Sequence, residues 1–591
     1  QLGIEDHTIY LINELGQYEV LNQDLSGLDM AEEIKEVPTE LDVIVQEINH
    51  LHQQEGIAAV AQPWLPPLKE RITLDELDKV VPIEAWQKRT APSVLIGVAD
   101  IPQAQKQEAV AIDLSKDGNI LLYGSPGTGK TTFLQTAAMD LARKQSPENL
   151  TMYLLDFGTN GLAPLTQLPH VADSLLLDQT EKIQKFIRII NRELDRRKKL
   201  LSEHGVGTIA LYREVTGKQE PTMVILMDSY ESMKDEPYET DLFKLFMRIS
   251  REGLSIGVHL IITASRQNNL RAQLYSNFKH QLTLPQNDIS EVRGIVGATP
   301  LASTMEDIKG RALMKRDEVD AVQFALPVAG DNDIQIINNL RDQVQSLKEM
   351  WTGRTPAGIP MVPDELTIQN FMSMPTTRKV IEDHRLPVGL ELEEVETIGL
   401  PMKKLKHLML LSDKDSSLSL VTKHMIRTVI ETVSGHKVTI LDPTDEYKTF
   451  VASVNNYVPS TSDFKSVIEQ LQSQVQYARQ NGGEFEHYIF ITDMGQFVSE
   501  SGVETNDIAL LMEEGLKVGL HFVFSMHKNF ISAYNDTAKY LKSQLDTALI
   551  AMKMSDQTIY TRTSIGREEA LPEDQVYLHY QASQTKLKIT K

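Results

Sequence analysis

Gly124-Ser125-Pro126-Gly127-Thr128-Gly129-Lys130-Thr131, with Thr132 following, has the residue types and spacing needed to hold phosphate groups. The stretch fits G-x-x-x-x-G-K-[ST]. Glycines let backbone N–H groups come close to phosphate oxygens, and successive N–H groups form a concave nest. A helix N-terminus adds its positive dipole end. Lys130 supplies an ammonium for the β- and γ-phosphates, and the Thr131 hydroxyl a ligand for Mg²⁺. A chance glycine-rich turn would match the composition but not the flanks. Asn119–Tyr123 is an apolar run that reads as a buried parallel strand, and Phe133, Leu134, Ala137, Ala138 and Leu141 share one helical side. Strand, loop and helix together predict binding of ATP with Mg²⁺ at residues 124–132.

Met223-Val224-Ile225-Leu226-Met227-Asp228 is an apolar strand ending in an acid, the second feature such a site needs. Asp228 is placed to hold Mg²⁺ beside Thr131. Many ATPases follow this acid directly with Glu, which orients the attacking water. Here Ser229 follows, and Glu231 is the nearest substitute, displaced by about 6–7 Å if the strand continues. Hydrolysis is therefore expected to be slow. A third run, Val258–Thr263, leads into Ala264-Ser265-Arg266. Ser265 is a candidate γ-phosphate sensor. Arg266 is either a charge stabiliser, in its own or a neighbouring subunit, or an ordinary surface arginine.

The elements that position these residues belong to a chain of 591 residues, 41% hydrophobic, with net charge −23 and no cysteine. That length predicts more than one domain. The acidity argues against a nucleic-acid partner, whose binding is driven by Lys and Arg releasing counterions. Zero cysteines exclude disulfides, thiolate zinc sites and cysteine nucleophiles. Histidines form no HExxH metal motif, and His259 and His521 sit at matched strand positions that suit a structural role. No apolar run approaches a membrane span, no secretory signal is evident, and the first residue is Gln1. A chain opening on Gln1 reads as a fragment, with room upstream for any membrane anchor or targeting segment.

Self-comparison reveals a repeat. EGLSIGVHL at 252–260 is matched by EGLKVGLHF at 514–522, Leu155-Asp156 by Leu441-Asp442, and Ile96-Gly97 by Val388-Gly389. Apolar runs alternating with helical patterns predict an α/β class of tandem RecA-like P-loop domains, with mostly parallel sheets flanked by helices. The expected boundaries are the tail of a preceding ATPase domain, or an independent small domain, at 1–60, a Pro-rich linker at 61–95, a domain with an intact loop at 96–345, a linker at 346–386 and a degenerate domain at 387–591. Within the tail, a hairpin of Thr8–Ile12 and Tyr18–Leu21 precedes a helix at 41–51. The linker residues Trp64, Leu65 and Leu68 are expected to lie against a domain surface. Residues 181–203 form the clearest helix. Arg192, Arg196, Arg197, Lys198 and Lys199 fall on its polar side, which reads as a solvated face rather than a nucleic-acid contact.

In the second copy the loop reads Ser412-Asp413-Lys414-Asp415-Ser416-Ser417-Leu418-Ser419. Ser412 aligns with Gly124, Ser417 with Gly129 and Leu418 with Lys130. Two glycines and the ammonium are lost, and carboxylates at Asp413 and Asp415 stand where phosphates would sit. Asp493 reads as a retained metal-side acid. The last domain is expected not to bind ATP.

At these residues the chain resembles the FtsK/SpoIIIE motor family, and more closely the ATPases of type VII (ESX, WXG100) secretion systems of the EssC/EccC kind. The matching stretches are GSPGTGKTT at 124–132, LDFGTNGLAPLTQLPHV at 155–171, ELDRRKKLLSEHGVGTIALYR at 193–213, GVHLIITASR at 257–266 and WLPPL at 64–68. The resemblance implies a cytosolic motor portion at the cytoplasmic face of the cell membrane, holding the second and third of three ATPase domains. It also implies export of WXG100-type substrates, secretion-system membrane partners and a homo-oligomer, such as a hexamer. Two alternatives stay open: a DNA translocase of the same superfamily, and a nucleotide-binding scaffold that does not hydrolyse.

Overall fold

The computed structural model describes residues 9–21, 38–57, 64–78, 91–401, 403–433, 437–484, 486–561 and 567–591. Thr8 of the expected hairpin, and residues 61–63 and 79–90 of the expected linker, lie outside them. The chain divides into two compact units, residues 1–68 with 101–107, and residues 69–100 with 108–591. In the first unit, β1 (Tyr10–Ile12) and β2 (Tyr18–Val20) pair antiparallel. The helix Glu40–Gln54 opens on a capping box, in which the Thr39 hydroxyl accepts from Asp42 N and the Asp42 carboxylate accepts from Thr39 N. Its apolar stripe, Leu41, Ile44, Ile48 and Leu51, is exposed. Trp64 and Leu65 are also exposed, and Leu68 is buried.

The second unit holds two ten-stranded mixed sheets of the same design. The strands of the first are β3 (Ser93–Ile101), β4 (Lys106–Asp113), β5 (Ile120–Tyr123), β6 (Leu150–Asp156), β7 (Val171–Leu176), β8 (Thr222–Asp228), β9 (Val258–Ala264), β10 (His280–Thr283), β11 (Arg311–Lys315) and β12 (Val319–Phe324). Their order is β4-β3-β12-β11-β10-β5-β9-β8-β6-β7. The run from β10 to β7 is parallel throughout, whereas β10–β11, β11–β12 and β12–β3 are antiparallel. The second sheet uses β13 (Arg385–Glu391), β14 (Thr397–Pro401), β15 (Leu408–Ser412), β16 (Lys437–Leu441), β17 (Asn456–Val458), β18 (His487–Ile491), β19 (Leu520–His527), β20 (Ala548–Ile550), β21 (Gln575–Tyr580) and β22 (Ser583–Lys588). Its order, β14-β13-β22-β21-β20-β15-β19-β18-β16-β17, repeats the first strand for strand. Helices cover both faces, so the central strands are buried on both sides and read as continuous apolar runs.

Gly257 and Gly519, the matched glycines of the repeat, both take positive φ (74° and 84°) at the turn where a helix hands over to β9 or β19. The helix Thr180–Glu203 packs its stripe of Ile183, Phe186, Ile187, Ile190, Leu194 and Leu201 into the core. Its polar side differs from the expected solvated face at one position. Arg197 is 1% exposed. Its guanidinium donates to Glu193 Oε1 at 2.9 Å, Ile256 O at 2.8 Å and Pro221 O at 2.6 Å. The neighbouring cations are paired with acids, Arg196 with Glu193 and Glu220, and Lys198 with Glu252. A basic row neutralised in this way offers little to a phosphate backbone. Further on, the segment before the second sheet returns to this helix: Ile359 joins the first domain's core, and Lys185 Nζ donates to Pro360 O at 2.5 Å and to Leu392 O at 2.6 Å.

Buried histidines stitch the strands together. His424 Nε2–H donates to Val388 O at 2.8 Å while its Nδ1 accepts from Thr590 N at 3.0 Å. His407 donates to Met512 O at 3.0 Å and accepts from Phe522 N at 3.0 Å. Burial pushes His170, His259, His407, His424 and His487 each down to about 4. The unfolded chain takes up these protons near pH 6.5 and the folded chain only near 4, so acid favours the unfolded state. Stability is therefore expected to fall as pH drops from 6.5 to 4, by up to about 3 kcal/mol per histidine at the acid limit. Thermal melts across this range check it; a flat midpoint would contradict the neutral burial of these rings.

Candidate nucleotide-binding site

The site lies at the C-terminal ends of the parallel strands β5, β9, β8 and β6, where open α/β sheets hold their ligands. β5 is fully buried and delivers the chain to Gly124. Gly127 and Gly129 have φ of 79° and 113°, values that side-chain-bearing residues rarely adopt, and Gly129 stands immediately before the helix Lys130–Lys144. The loop is anchored around its circumference. Gly124 N donates to Ala264 O, Ser125 N to Pro285 O, and the Thr128 hydroxyl to Ser125 O. Gly310 N donates to Thr128 O, so the antiparallel half of the sheet braces the loop from the far side.

Lys130 Nζ is 2.5 Å from Gly124 O. Burial pushes its ammonium down from the usual range, and Glu231 and then Asp228 oppose that shift by their charge. The Thr131 hydroxyl donates to Asp228 Oδ2 at 2.7 Å, and the Thr263 hydroxyl to Asp228 Oδ1 at 2.7 Å. Sequence reasoning paired Thr131 with Asp228, and the fold brings them into contact. Thr263, one strand over, orients the carboxylate and was not singled out from the sequence. Its signal was a hydroxyl at the end of an apolar stretch, Leu260–Ile262, of a buried strand.

Glu231 is not where an extended strand would carry it. β8 ends at Asp228, and Ser229 takes φ 63°, a left-handed turn held by a 3.0 Å bond from Ser229 N to the Thr263 hydroxyl. The chain folds back, and Glu231 Oε2 accepts from Ser265 N at 3.2 Å. The 6–7 Å displacement expected from an extended strand does not apply. Ser265 itself donates its hydroxyl to Asn269 Oδ1 at 2.8 Å. Arg266 is half exposed, 3.7 Å from Glu291, which is a surface setting. A cleft of about 280 Å³ opens beside Gly129 and Thr132, lined also by Arg71, Phe133, Lys309, Phe324, Leu326 and Ile336.

Comparison with known proteins places the fold in a family. Residues 83–300 match the FtsK/SpoIIIE family. The chain carries an FtsK/SpoIIIE-family domain. It is 33% identical over 586 residues to the type VII secretion system protein EssC of Staphylococcus aureus strain MSSA476, covering 98% of this chain and 39% of that protein. The ESX secretion system protein YukB of Bacillus subtilis strain 168 is 30% identical over 543 residues, covering 89% of this chain and 35% of YukB. The solved structure of EssC ATPases 2 and 3 from Geobacillus thermodenitrificans superposes with a TM-score of 0.78 at 26% identity, covering 89% of this chain and all of that one. The chain thus spans about two fifths of the curated relatives it matches.

Against the FtsK/SpoIIIE-family site of the first domain, the same place in the second is closed. The helix Asp415–Thr432 starts early, so Ser416 and Ser417 are helical and no nest forms between β15 and the helix. Ser412 is buried, its hydroxyl donating to Ala551 O at 2.9 Å, and Leu418 joins the core. Ser419 follows within the same helix. Asp493 does not occupy the place of Asp228. Val224 faces His259 and Tyr488 faces His521, so the matched histidines align Asp228 with Thr492. Asp493 instead caps the helix Met494–Ser501 through Gln496 N. Among the described residues no group of three or more histidines and acids is placed to hold a metal ion on its own.

Proposed function

We propose that this chain is a tandem-ATPase portion of a type VII secretion motor, with one working nucleotide site at residues 124–132. The observation that carries the reading is the Thr131–Asp228 contact beside Lys130, on a chain homologous to EssC over nearly its whole length. The residues fit a Mg²⁺-nucleotide. A Cβ at Gly129 would stand 3.1 Å from Gly310 N and crowd the nest, and a hydroxyl and a carboxylate stand together at its mouth. Thr131 and Asp228 would hold the ion, which when bound neutralises charge on the phosphoryl groups. Lys130 binds the β- and γ-phosphates, the loop amides of 124–132 cradle them, and base and ribose enter the cleft beyond Thr132.

Glu231 is the group that orients the attacking water and accepts its proton, Ser265 senses the γ-phosphate, and Arg266 serves a neighbouring subunit in a homo-oligomer. An arginine supplied by a neighbour is worth roughly 10³–10⁵ in rate in related chemistry. The dilute monomer is therefore slow, and assembly at the cytoplasmic face of the membrane, with secretion-system membrane partners, activates it. Helical WXG100-type proteins are the cargo. The last domain folds without nucleotide and serves packing or cargo contact.

A steady-state ATPase assay on the oligomer tests the reading. Glu231→Gln is expected to lower turnover by about 10²-fold or more while ATP affinity stays within a factor of a few. Unchanged turnover would remove Glu231 from the mechanism. DNA-stimulated turnover would favour a translocase instead.

A further inference from the structure

At the end of β6, one strand beyond Asp228, stands a second carboxylate. Asp156 pairs in register with Asp228 across the parallel β6–β8 ladder and is 3% exposed. The amides of Gly158 and Asn160 in the turn that follows face its carboxylate, and Leu162 N donates to its Oδ2 at 3.2 Å. Its Oδ1 is buried and has no hydrogen-bond partner. Buried polar atoms are rarely left so, because the desolvation is uncompensated. The turn itself is shaped around the site. A Cβ on Gly158 would stand 3.0 Å from Asp228 Oδ2, and one on Gly161 would stand 2.1 Å from Thr131 Cγ2. Gln135 Nε2 ties Gly161 O back to the helix Lys130–Lys144 at 2.7 Å. The segment 156–162 therefore closes over the Thr131–Asp228 pair.

The second domain supplies the control. Its counterpart, Asp442, has both oxygens filled. Oδ1 accepts from Thr444 N, the Thr444 hydroxyl and the Thr492 hydroxyl, and Oδ2 from Tyr447 N and the Tyr457 hydroxyl. Where the nest and the aligned acid are lost, the carboxylate is consumed by protein donors. Where they are intact, one oxygen is kept free beside another carboxylate.

We propose that Asp156 belongs to the divalent-cation site, its free Oδ1 accepting from water bound to the metal held by Thr131 and Asp228. It is a positioning residue for the hydrated ion. The inference rests on reading residues 124–132 as a metal–nucleotide site.

Mn²⁺ titration of the ADP-saturated chain, followed by electron paramagnetic resonance, tests it. Asp156→Asn keeps an acceptor for Leu162 N and removes the charge. It is expected to weaken Mn²⁺ by about 10–100-fold, as outer-shell changes do, with ADP affinity in chelator unchanged. Unaltered Mn²⁺ affinity in folded Asp156→Asn overturns the proposal while leaving the nucleotide site standing. Wild-type chain that binds no ADP overturns both. If Asp156→Asn does not fold, crystals of the wild type with Mn²⁺ and ADP decide. A water shared by the anomalous peak and Asp156 Oδ1 supports the role, and an Oδ1 bonded to a protein donor instead overturns it.

Discussion

Replacing Lys130 with alanine is expected to weaken ATP binding by about 100-fold and leave the fold intact. The ammonium is the largest positive charge at the loop, and its neighbours Glu231 and Asp228 are both acidic. Without it, phosphates would meet two carboxylates with only backbone amides in support. A charge-assisted hydrogen bond contributes about 1.5–3 kcal/mol, and each 1.4 kcal/mol is about tenfold in affinity. Folding should tolerate the change, because the side chain donates to Gly124 O, at the loop rather than in the core. Calorimetric titration with ATP and Mg²⁺ measures the affinity, and a thermal melt in parallel confirms the fold. An affinity within threefold of wild type would show that the loop is not the nucleotide site.

The largest stability loss is expected at Arg197. Its guanidinium ties the helix Thr180–Glu203 to the carbonyl that ends the helix Glu239–Ile256 and to the carbonyl preceding β8. Alanine would strand two main-chain oxygens and weaken the hold on Glu193 inside a packed region. Removing one partner of such a buried charged network typically costs about 3–5 kcal/mol. Lys199, on the same helix, is exposed and its nearest acid, Glu203, is 3.9 Å away. Exposed pairs of that kind contribute about 0–1 kcal/mol, so Lys199→Ala is the matched control. Because the chain has more than one folded module, hydrogen exchange of the β8 amides is a better readout than a single melting midpoint. Equal losses for the two variants would refute the bridging role.

Arg197 also shows where the sequence stops being legible. A helical wheel places it beside Arg196 and Lys198, on a side that looks solvated. Only the tertiary fold brings Ile256 O and Pro221 O within reach. The phosphate loop was legible for the opposite reason. Its strand, glycines and helix are contiguous, so local chemistry specifies the whole motif. Asp228 was legible as the acidic end of an apolar strand. Glu231 was misplaced because a serine at φ 63° is invisible in a sequence, and that one dihedral folds the carboxylate back to Ser265.

The second domain repeats the lesson. Asp493 looked like the counterpart of Asp228 because both follow an apolar run, yet strand register puts Thr492 in that place. A shift of one residue moves a side chain to the other face of the sheet. The central parallel strands β5, β6, β8 and β9, and β15, β16, β18 and β19 of the second sheet, were read from their apolar runs, whereas the edge strands β7 and β17 and the strands β10 to β12 and β20 to β22 were not. Several of these are short, as β10 (His280–Thr283) and β20 (Ala548–Ile550) show, and they are paired by contacts distant in sequence.

The account's central claim is one nucleotide site per chain, in the first of two domains that share a strand order. Stoichiometry measures it most directly. Equilibrium dialysis of the whole chain with radiolabelled ATP and Mg²⁺ is expected to saturate at about one nucleotide per chain, and at close to none in Lys130→Ala at the same ligand concentration. Two nucleotides per wild-type chain, or one retained in Lys130→Ala, would place ATP in the domain whose loop has become helix and would contradict the account.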